Sequence, residues 1–249
     1  MNALKKTYLF LPVLVQRFFL SVFEKETASI KKLVFSFLIL IAIYSNAQKN
    51  NDEYRKAIQD RSAKIVNNIG LSDSATYKKV LTTVENQYYQ LNNIQEKNKT
   101  AVESIKKKQV LKEALDQELK IQEEKKYKEL EQLHSKFLAL LKRDLTEDQV
   151  EKVKDAMTYR ILPITYSAYQ DMIPNLTDEQ KAKIYAWLAE AREIAMDAES
   201  SEKKHAVFGK YKGRINNYLS AQGYDLKKEG QEWEKRRNAA KSSSGKSGN

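Results

Sequence analysis

The sequence contains no cysteine, only two histidines, three prolines and seven glycines. Without cysteine the chain cannot form a disulfide framework, a thiolate zinc site or a thiol nucleophile. Two histidines are too few for a multi-histidine metal site, so we predict no metal and no cofactor. The scarcity of glycine and proline argues against β-sandwiches, barrels and doubly wound α/β folds, which need many turns. We therefore predict an all-α protein with long helices.

Charge and hydropathy indicate an amphipathic helical protein with acidic partners. Hydrophobic residues make up 41% and charged residues 31% of the sequence, which is sufficient for helices with one apolar face. Lys and Arg outnumber Asp and Glu by 44 to 33. This excess favours acidic polysaccharide, lipid headgroups or an unfolded acidic chain as partners.

Residues 33–44 (LVFSFLILIAIY) form an uncharged apolar run of twelve residues. Two lysines precede the run and the small sequence Ser-Asn-Ala follows it, which is typical of a secretory signal peptide. We predict cleavage between Ala47 and Gln48 and a periplasmic or extracellular location. The alternative is an uncleaved anchor, but the run is shorter than the roughly 20 residues that cross a bilayer. We therefore expect membrane contact only during export, and export makes nucleic acid an unfavourable partner.

A second apolar segment, residues 8–23, lies upstream and is interrupted by Pro12 and Arg17. Either residues 1–29 are an N-terminal extension or translation begins near Ile30. We favour the later start because the segment from Ile30 is a complete signal peptide. We predict that residues 1–47 are a signal peptide with an N-terminal extension, residues 48–239 one helical domain, and residues 240–249 (AKSSSGKSGN) a disordered tail.

The apolar residues Tyr54, Ile58, Ile65 and Ile69 predict a first helix, which ends at Gly70 in a left-handed cap. Either Ser72 or Ser74 is then expected to cap a second helix.

Apolar stripes predict a second helix from about residue 74 and a third over about residues 101–142. We place a turn at residues 95–100, where the sequence is polar and Thr100 and Glu103 could form a capping box. The two helices would form a long charged antiparallel hairpin over about residues 74–142. The alternative is one continuous helix, as in a coiled coil, because residues 113–131 interleave Lys and Glu. We favour the hairpin, since a lone rod would have little surface to bury against.

The pentad Leu-Thr-x-x-Gln occurs twice, at residues 145–149 and 176–180. Its Thr is expected to cap a helix, and its Gln is expected to return a hydrogen bond to the capping residue. Both pentads therefore predict helix starts within a compact C-terminal bundle over residues 145–239. Between them we expect Pro163 to end one helix and a short helix to cover residues 165–172.

The remaining bundle helices are predicted over residues 178–196, from Ser200 or Ser201 to Gly223, and from Asp225 onward. Gly209 and Gly213 each lower helix propensity by about 1 kcal/mol, which predicts close approach of a neighbouring helix. Arg192 is expected to form an ion pair with acids of its own helix.

Residues 201–218 form the densest polar and aromatic stretch, and they carry our candidate ligand-binding site. The candidate residues are Lys203, Lys210, Tyr211, Lys212, Arg214 and Tyr218. Spacings of seven and four place Lys203, Lys210 and Arg214 along one side of a helix. Cations beside phenol rings suit carboxylate-bearing sugar chains, whereas the alternative is a core face beside a solvated row of charges.

The sequence carries none of the common catalytic motifs. There is no Gly-rich phosphate loop, no GxSxG elbow and no HExxH. Carboxylates are plentiful, but no two stand out as a catalytic pair. We therefore predict no catalytic residues and favour a protein that is not an enzyme.

Three segments resemble a known family: residues 145–159 (LTEDQVEKVKDAMTY), 162–180 (LPITYSAYQDMIPNLTDEQ) and 191–226 (AREIAMDAESSEKKHAVFGKYKGRINNYLSAQGYDL). They are similar to the exported domain-of-unknown-function 3826 family of Bacteroidetes, whose genes tend to sit among polysaccharide-utilisation enzymes. The resemblance covers about residues 50–237 and implies export, a helical fold and a glycan-related context. The family supplies no catalytic residues to transfer.

The two pentads also resemble the periplasmic LTxxQ chaperones, which are small helical proteins that cradle unfolded clients without ATP. We therefore predict a non-enzymatic secreted accessory protein of glycan utilisation that binds anionic polysaccharide. The alternative is an ATP-independent periplasmic chaperone with unfolded protein clients.

Overall fold

The computed structural model describes residues 52–244, with side chains through residue 240, and this part is helical without strands. The predicted all-α fold is confirmed. The predicted signal peptide and the choice of start site lie outside the described residues. The helices of the described range are α1 (residues 52–67), α2 (Ser74–Lys106), α3 (Lys112–Asp144), α4 (Glu147–Met157), α5 (Ile161–Met172), α6 (Asp178–Met196), α7 (Ser201–Ala221) and α8 (Leu226–Ser244).

The junction between α1 and α2 is only partly as predicted. Gly70 has φ +76°, so the left-handed residue after α1 is confirmed. The cap of α2, however, is Asp73 rather than Ser72 or Ser74. The Asp73 carboxylate accepts from the backbone N–H groups of Ala75 and Thr76, at 3.2 and 2.8 Å. One carboxylate thereby satisfies two of the free N–H groups of the first turn.

Helices α2 and α3 pack against each other as a hairpin, joined by residues 107–111. The hairpin is confirmed, and the alternative of one continuous helix is wrong. The predicted turn at residues 95–100 and the predicted helix start at residue 101 are also wrong. Thr100 lies inside α2, where its hydroxyl donates to the carbonyl of Glu96 at 3.0 Å. The polar segment is an exposed helical face, and Asn98 accepts from the Gln122 amide across the hairpin at 3.1 Å.

The buried apolar residues form two main clusters. The first packs the base of the hairpin against α1 and α4, and it includes Phe137, Leu141, Val153 and Met196. The second packs α5, α6 and α7 together around buried residues such as Ile184, Leu188, Phe208, Ile215 and Leu219. Helix α6 contributes to both clusters, because Met196 belongs to the first and the earlier turns of α6 to the second. This helix therefore joins the hairpin to the bundle.

Both predicted capping boxes are present. Thr146 accepts from the backbone N–H of Gln149 at 3.4 Å, and the Gln149 side chain accepts from the backbone N–H of Thr146 at 3.0 Å. Thr177 and Gln180 make the equivalent bonds at 3.2 and 2.9 Å. Each pentad therefore fixes a helix start through local contacts alone.

Pro163 does not end a helix, contrary to the prediction. Helix α4 ends at Met157, and α5 begins at Ile161, so Pro163 lies in the first turn of α5. A backbone N–H in the first turn has no intrahelical partner, and proline is therefore tolerated there.

Three further outcomes concern α7 and α8. Ser200 caps α7 as predicted, accepting from the backbone N–H of Lys203 at 3.1 Å. Helix α8 continues to Ser244, into the segment predicted to be a disordered tail. The prediction for Gly209 and Gly213 is wrong, because a Cβ at either position would meet no atom within 4 Å.

Within residues 52–244, no helix is long and apolar enough to cross a membrane.

The end of α4 has an unusual residue in an ordinary cap. The N–H of Arg160 donates to Asp155 O at 2.7 Å and that of Tyr159 to Ala156 O at 3.4 Å, which is the Schellman pattern. Helix α7 ends in the same pattern with Gly223 at φ +92°. Tyr159 occupies the equivalent position at φ 57°, and the following Arg160 also has φ 57°. Tyrosine is thus held in a conformation that favours glycine.

We expect this backbone conformation to be measurable as strain. Tyr159→Gly should be about 1 kcal/mol more stable to unfolding than Tyr159→Ala, because both remove the ring and only alanine keeps the unfavourable left-handed Cβ. Urea denaturation of the two variants measures the difference. At Gly223 the alanine variant should lose stability relative to wild type. Equal stability of the two Tyr159 variants would contradict a strained cap.

Candidate functional site

An open cleft of about 990 Å³ lies between α3 of the hairpin and the α6–α7 pair. Its apolar lining includes Tyr127, Leu130, Ile194, Ala206 and Val207. Ile194 and Tyr127 are 49% and 58% exposed, although both are large apolar side chains. Acidic residues of α3 and α6 and lysines of α7 surround this apolar surface. The cleft therefore offers apolar contact area with charges of both signs at its edges.

A network of buried charges lies beside the cleft and joins α4 to α6. Arg192 of α6 is only 3% exposed, and its guanidinium pairs with Glu151 and, at 2.6 Å, with Asp155 of α4. Its contact with Glu193 of the same helix is longer, at 3.5 Å. The predicted intrahelical pair is therefore wrong in its main partners. A buried guanidinium is stable only with opposite charges at close range, and α4 supplies them.

Lys154 and Glu193 extend the network towards the hairpin. The Lys154 ammonium lies 3.0 Å from Glu151 and 3.1 Å from Glu193. Burial raises the pKa of Glu193, but the bond from His134 and the charges of Lys154 and Arg192 outweigh it and lower the pKa to about 2. Glu193 is therefore ionised at neutral pH.

His134 of α3 connects the hairpin to this network. Its Nδ1 lies 2.9 Å from an Asp197 carboxylate oxygen and its Nε2 lies 3.3 Å from a Glu193 oxygen. The Asp197 carboxylate, followed by Glu193, raises the pKa of His134 to about 9. The imidazole is therefore protonated at neutral pH with a carboxylate at each nitrogen. It has no free nitrogen with which to accept a proton, so its role here is to hold α3 against α6.

Lys204 of α7 is buried at the end of α6. Its ammonium donates to the carbonyls of Ala195 and Met196 at 2.9 and 3.0 Å. Burial lowers the pKa of Lys204 to about 8. The side chain satisfies carbonyls that the end of α6 leaves without helical partners. In the part of the chain that the structure describes, no group of three or more His, Asp or Glu could hold a metal ion.

The six residues of the predicted site are divided between the cleft and the surface next to it. Lys203 and Lys210 line the cleft. Tyr211, Arg214 and Tyr218 follow on the same side of α7, where they face α6. Lys212 lies on the other side, where its backbone carbonyl is 3.4 Å from the Tyr169 hydroxyl. The structure therefore groups five of the six along one side of the helix.

Trp187 of α6 is the centre of the surface next to the cleft. The Arg214 guanidinium lies over its ring at 4.6 Å and the Lys183 ammonium at 5.4 Å. Tyr218 meets the ring at 88°, with 5.3 Å between the centroids. Arg214 also lies 3.6 Å from Glu190, and both side chains are about half exposed. A cation over an aromatic face is attracted by the ring, and its other side stays accessible to solvent.

Tyr211 belongs to the same surface. Burial, and then its hydrogen bond with Glu190, raise the pKa of Tyr211 to about 12, so its hydroxyl keeps its proton. We call this surface the α6–α7 track, defined by Lys183, Trp187, Lys203, Lys210, Tyr211, Arg214 and Tyr218. From Lys203 to Tyr218 it extends about 22 Å at 1.5 Å per residue.

The binding site predicted from the sequence includes neither Trp187 nor Lys183. A tryptophan at helical spacing most often packs inside, which is why its half-buried position was missed. The spacing of four between Lys183 and Trp187 places both on one face and could have indicated the pair. No pattern in the sequence around His134 indicates its contacts with α6, because its partners lie about 60 residues further along the chain.

The architecture defines an all-α domain in which a long hairpin and a compact bundle form the two walls of an open cleft. The chain belongs to the family described as Protein of unknown function (DUF3826), whose sequence pattern matches residues 55–239. The predicted membership of the domain-of-unknown-function 3826 family is thereby confirmed. None of the curated proteins matches the chain.

The contact of His134 with α6 predicts a pH dependence of stability. A raised pKa in the folded state means that the stabilisation is complete below the unfolded value of about 6.5 and is lost as the pH rises to about 9. His134→Gln should therefore lower stability by on the order of 3 kcal/mol at pH 6 and much less at pH 9.5.

Chemical denaturation of wild type and variant across this range measures the difference. The difference is the useful quantity, because the lowered pKa of Lys204 gives the opposite slope above about pH 8 in both proteins. A difference that does not change between pH 6 and 9.5 would contradict a charged His134.

Proposed function

We propose that this protein is a non-enzymatic secreted accessory of glycan utilisation that binds acidic polysaccharide along the α6–α7 track. The observation that carries the proposal is the cation–aromatic group at Trp187, with Arg214 over its ring and Tyr218 at its edge. Lys210 and Lys203 continue the positive charge into the cleft. An extended chain with regularly spaced carboxylates matches a row of cations of this kind.

The charges of the track can be engaged by an acidic ligand. Lys203 has only a long contact of 3.9 Å with Glu199, and Arg214 has one of 3.6 Å with Glu190. Both pairs are exposed, and exposed pairs contribute little free energy. A ligand carboxylate can therefore replace Glu199 or Glu190 at small expense, and a guanidinium can bind it through two hydrogen bonds.

The aromatic residues suit the other part of a polysaccharide, the apolar faces of its sugar rings. Trp187 and Tyr218 provide a large apolar area with polar atoms at the rim. The predicted signal peptide and the gene context implied by the family resemblance favour a ligand outside the cytoplasm. Together these features support acidic glycan over a small acidic metabolite.

Affinity electrophoresis in gels containing polygalacturonate or neutral galactan tests the proposal. We expect retardation only by polygalacturonate, and we expect added salt to weaken it. Lys210→Ala and Arg214→Ala should each weaken binding about tenfold, because each removes a charged contact of about 1.4 kcal/mol.

Lys212→Ala is the matched control, since it removes the same charge from the other side of α7. Absence of retardation by any acidic glycan would contradict the proposal. Equal effects of Lys210→Ala and Lys212→Ala would show that only net charge matters, which would also contradict a defined track.

The cleft supports a second candidate, an ATP-independent chaperone. Ile194 and Tyr127 expose apolar surface inside a cavity large enough for several side chains of an unfolded client. Contiguous exposed apolar surface commonly marks a site for protein partners. The two Leu-Thr-x-x-Gln pentads agree with this candidate.

Light scattering of an aggregating client protein tests the chaperone function. Wild type at stoichiometric amounts should delay aggregation, and Ile194→Glu should reduce the delay by placing a charge in the cleft. Ile164→Glu is the control, because Ile164 is 60% exposed and does not line the cleft. If wild type gives no delay, or if both variants act alike, the candidate is removed.

A further inference from the structure

The strained cap at Tyr159 presents an aromatic ring that the fold alone does not require. Gly223 shows that the same cap forms in this chain with glycine. Tyr159 is 42% exposed, so a large part of its ring faces solvent and is available for contact. Residues held in such conformations cluster at binding and active sites, where the side chain has a further role.

Other elements bring complementary groups to this ring. His205 of α7 stacks on Tyr159 with 5.6 Å between the centroids and 7° between the planes. Tyr88 of α2 lies close enough for the Tyr159 hydroxyl to influence its pKa, and the Arg61 guanidinium lies over the Tyr88 ring at 5.5 Å. Three aromatic rings, two of them parallel, and a cation thus come from four separate parts of the chain.

The charge at this place is positive. Arg61 and Arg160 have no ion-pair partner among the carboxylates of the described residues, and both are exposed. The charge of Arg61 also contributes to lowering the pKa of the buried Lys204, so Arg61 lies near the start of α7, where His205 follows Lys204. Among the acids, Asp197 acts on Lys204 and pairs with His134. An anionic ligand would therefore find two arginines that pair with no carboxylate of the described residues.

We propose that Tyr159 and His205 form a second binding site, which takes a sugar ring bearing a carboxylate, of the uronic acid class. The ring packs on the exposed face of Tyr159, and the carboxylate binds Arg61. We call this the Tyr159 platform. His205 lies on the side of α7 that carries Lys212, away from Lys210 and Arg214. The platform is therefore separate from the α6–α7 track and does not depend on it.

The chain offers a direct reporter, because His134 and His205 are its only histidines. The imidazole NMR spectrum of the full-length protein without a histidine tag has two sets of resonances, which a His205→Ala variant assigns. Titration with trigalacturonic acid should shift the His205 resonance saturably, whereas the His134 resonance reports the cleft beside the α6–α7 track and does not test the platform. Galactotriose, the neutral counterpart, should not shift His205. An unmoved His205, or an equal shift with galactotriose, would overturn the proposal.

Variants separate the ring from the charge. Tyr159→Gly keeps the cap, so it should remain folded with an undiminished melting temperature. The affinity measured from the ligand-induced shift of His205 should fall at least tenfold in this variant. Arg61→Ala should weaken the same shift severalfold. Sodium acetate at equal carboxylate concentration is the control for charge alone. If acetate reproduces the shift, or if Tyr159→Gly retains it, ring recognition at the platform is refuted.

The same titration distinguishes the platform from the track. Trp187 reports the track through its fluorescence, with a Trp233→Phe background to remove the second tryptophan. Arg214→Ala should diminish the Trp187 response and leave the His205 shift intact. If Arg214→Ala abolishes both, a single ligand on the track accounts for the data and the platform is overturned. If the wild-type protein shows the His205 shift but no Trp187 response, the proposed track fails and the platform stands.

Discussion

The buried guanidinium of Arg192 is the interaction on which the arrangement of helices depends. It is almost fully removed from solvent, and its charge is compensated by Glu151 and Asp155 from α4. Such a charge tolerates little displacement, because any gap leaves an unpaired ion in a medium of low dielectric constant. Helix α6 is therefore fixed in register against α4, and every surface that α6 carries is fixed with it.

Those surfaces include the wall of the cleft and the aromatic centre of the α6–α7 track. Glu193 follows Arg192 directly and extends the same network through Lys154 and His134 to the hairpin. The α3 wall of the cleft is thus held near α6 by this charge contact together with the apolar packing of Met196. This separates two roles along α6: the charged side chains of Arg192 and Glu193 set the position of neighbouring helices, while Ile194 and Trp187 on another face remain available to a ligand.

The features that could be predicted from the sequence are those that depend on local contacts. The capping boxes at Thr146 and Thr177 involve residues three apart, and Gly70 and Gly223 mark helix ends for a steric reason internal to the residue. The turn of the hairpin was misplaced because a polar run fits an exposed helical face as well as a loop. The partners of Arg192 lie 37 and 41 residues away, a separation at which helical spacing gives no information.

Within the candidate site, the helical spacing of Lys203, Lys210 and Arg214 was sufficient to place them on one side of α7. The same reasoning could not select Trp187, since its orientation depends on how α6 packs against α7. The left-handed Tyr159 carries no sequence pattern at all, because the cap that it completes is ordinary and only the residue is unusual.

The hairpin ends in a region with little packing of its own. Its last buried apolar residues are Ile94 on α2 and Leu130 on α3, in a small cluster completed by Leu91. Beyond them Val110, Leu111 and Ile121 are exposed, and the described contacts across the hairpin are polar. Separation of the two helices at this end exposes only half-buried apolar residues such as Val102, Ile105 and Leu119, so its amide protons should exchange with solvent by local opening well before those of the base. Because Glu123 and Tyr127 lie in this loosely held part and also border the cleft, the entrance can widen while the ionic anchor at its floor stays closed.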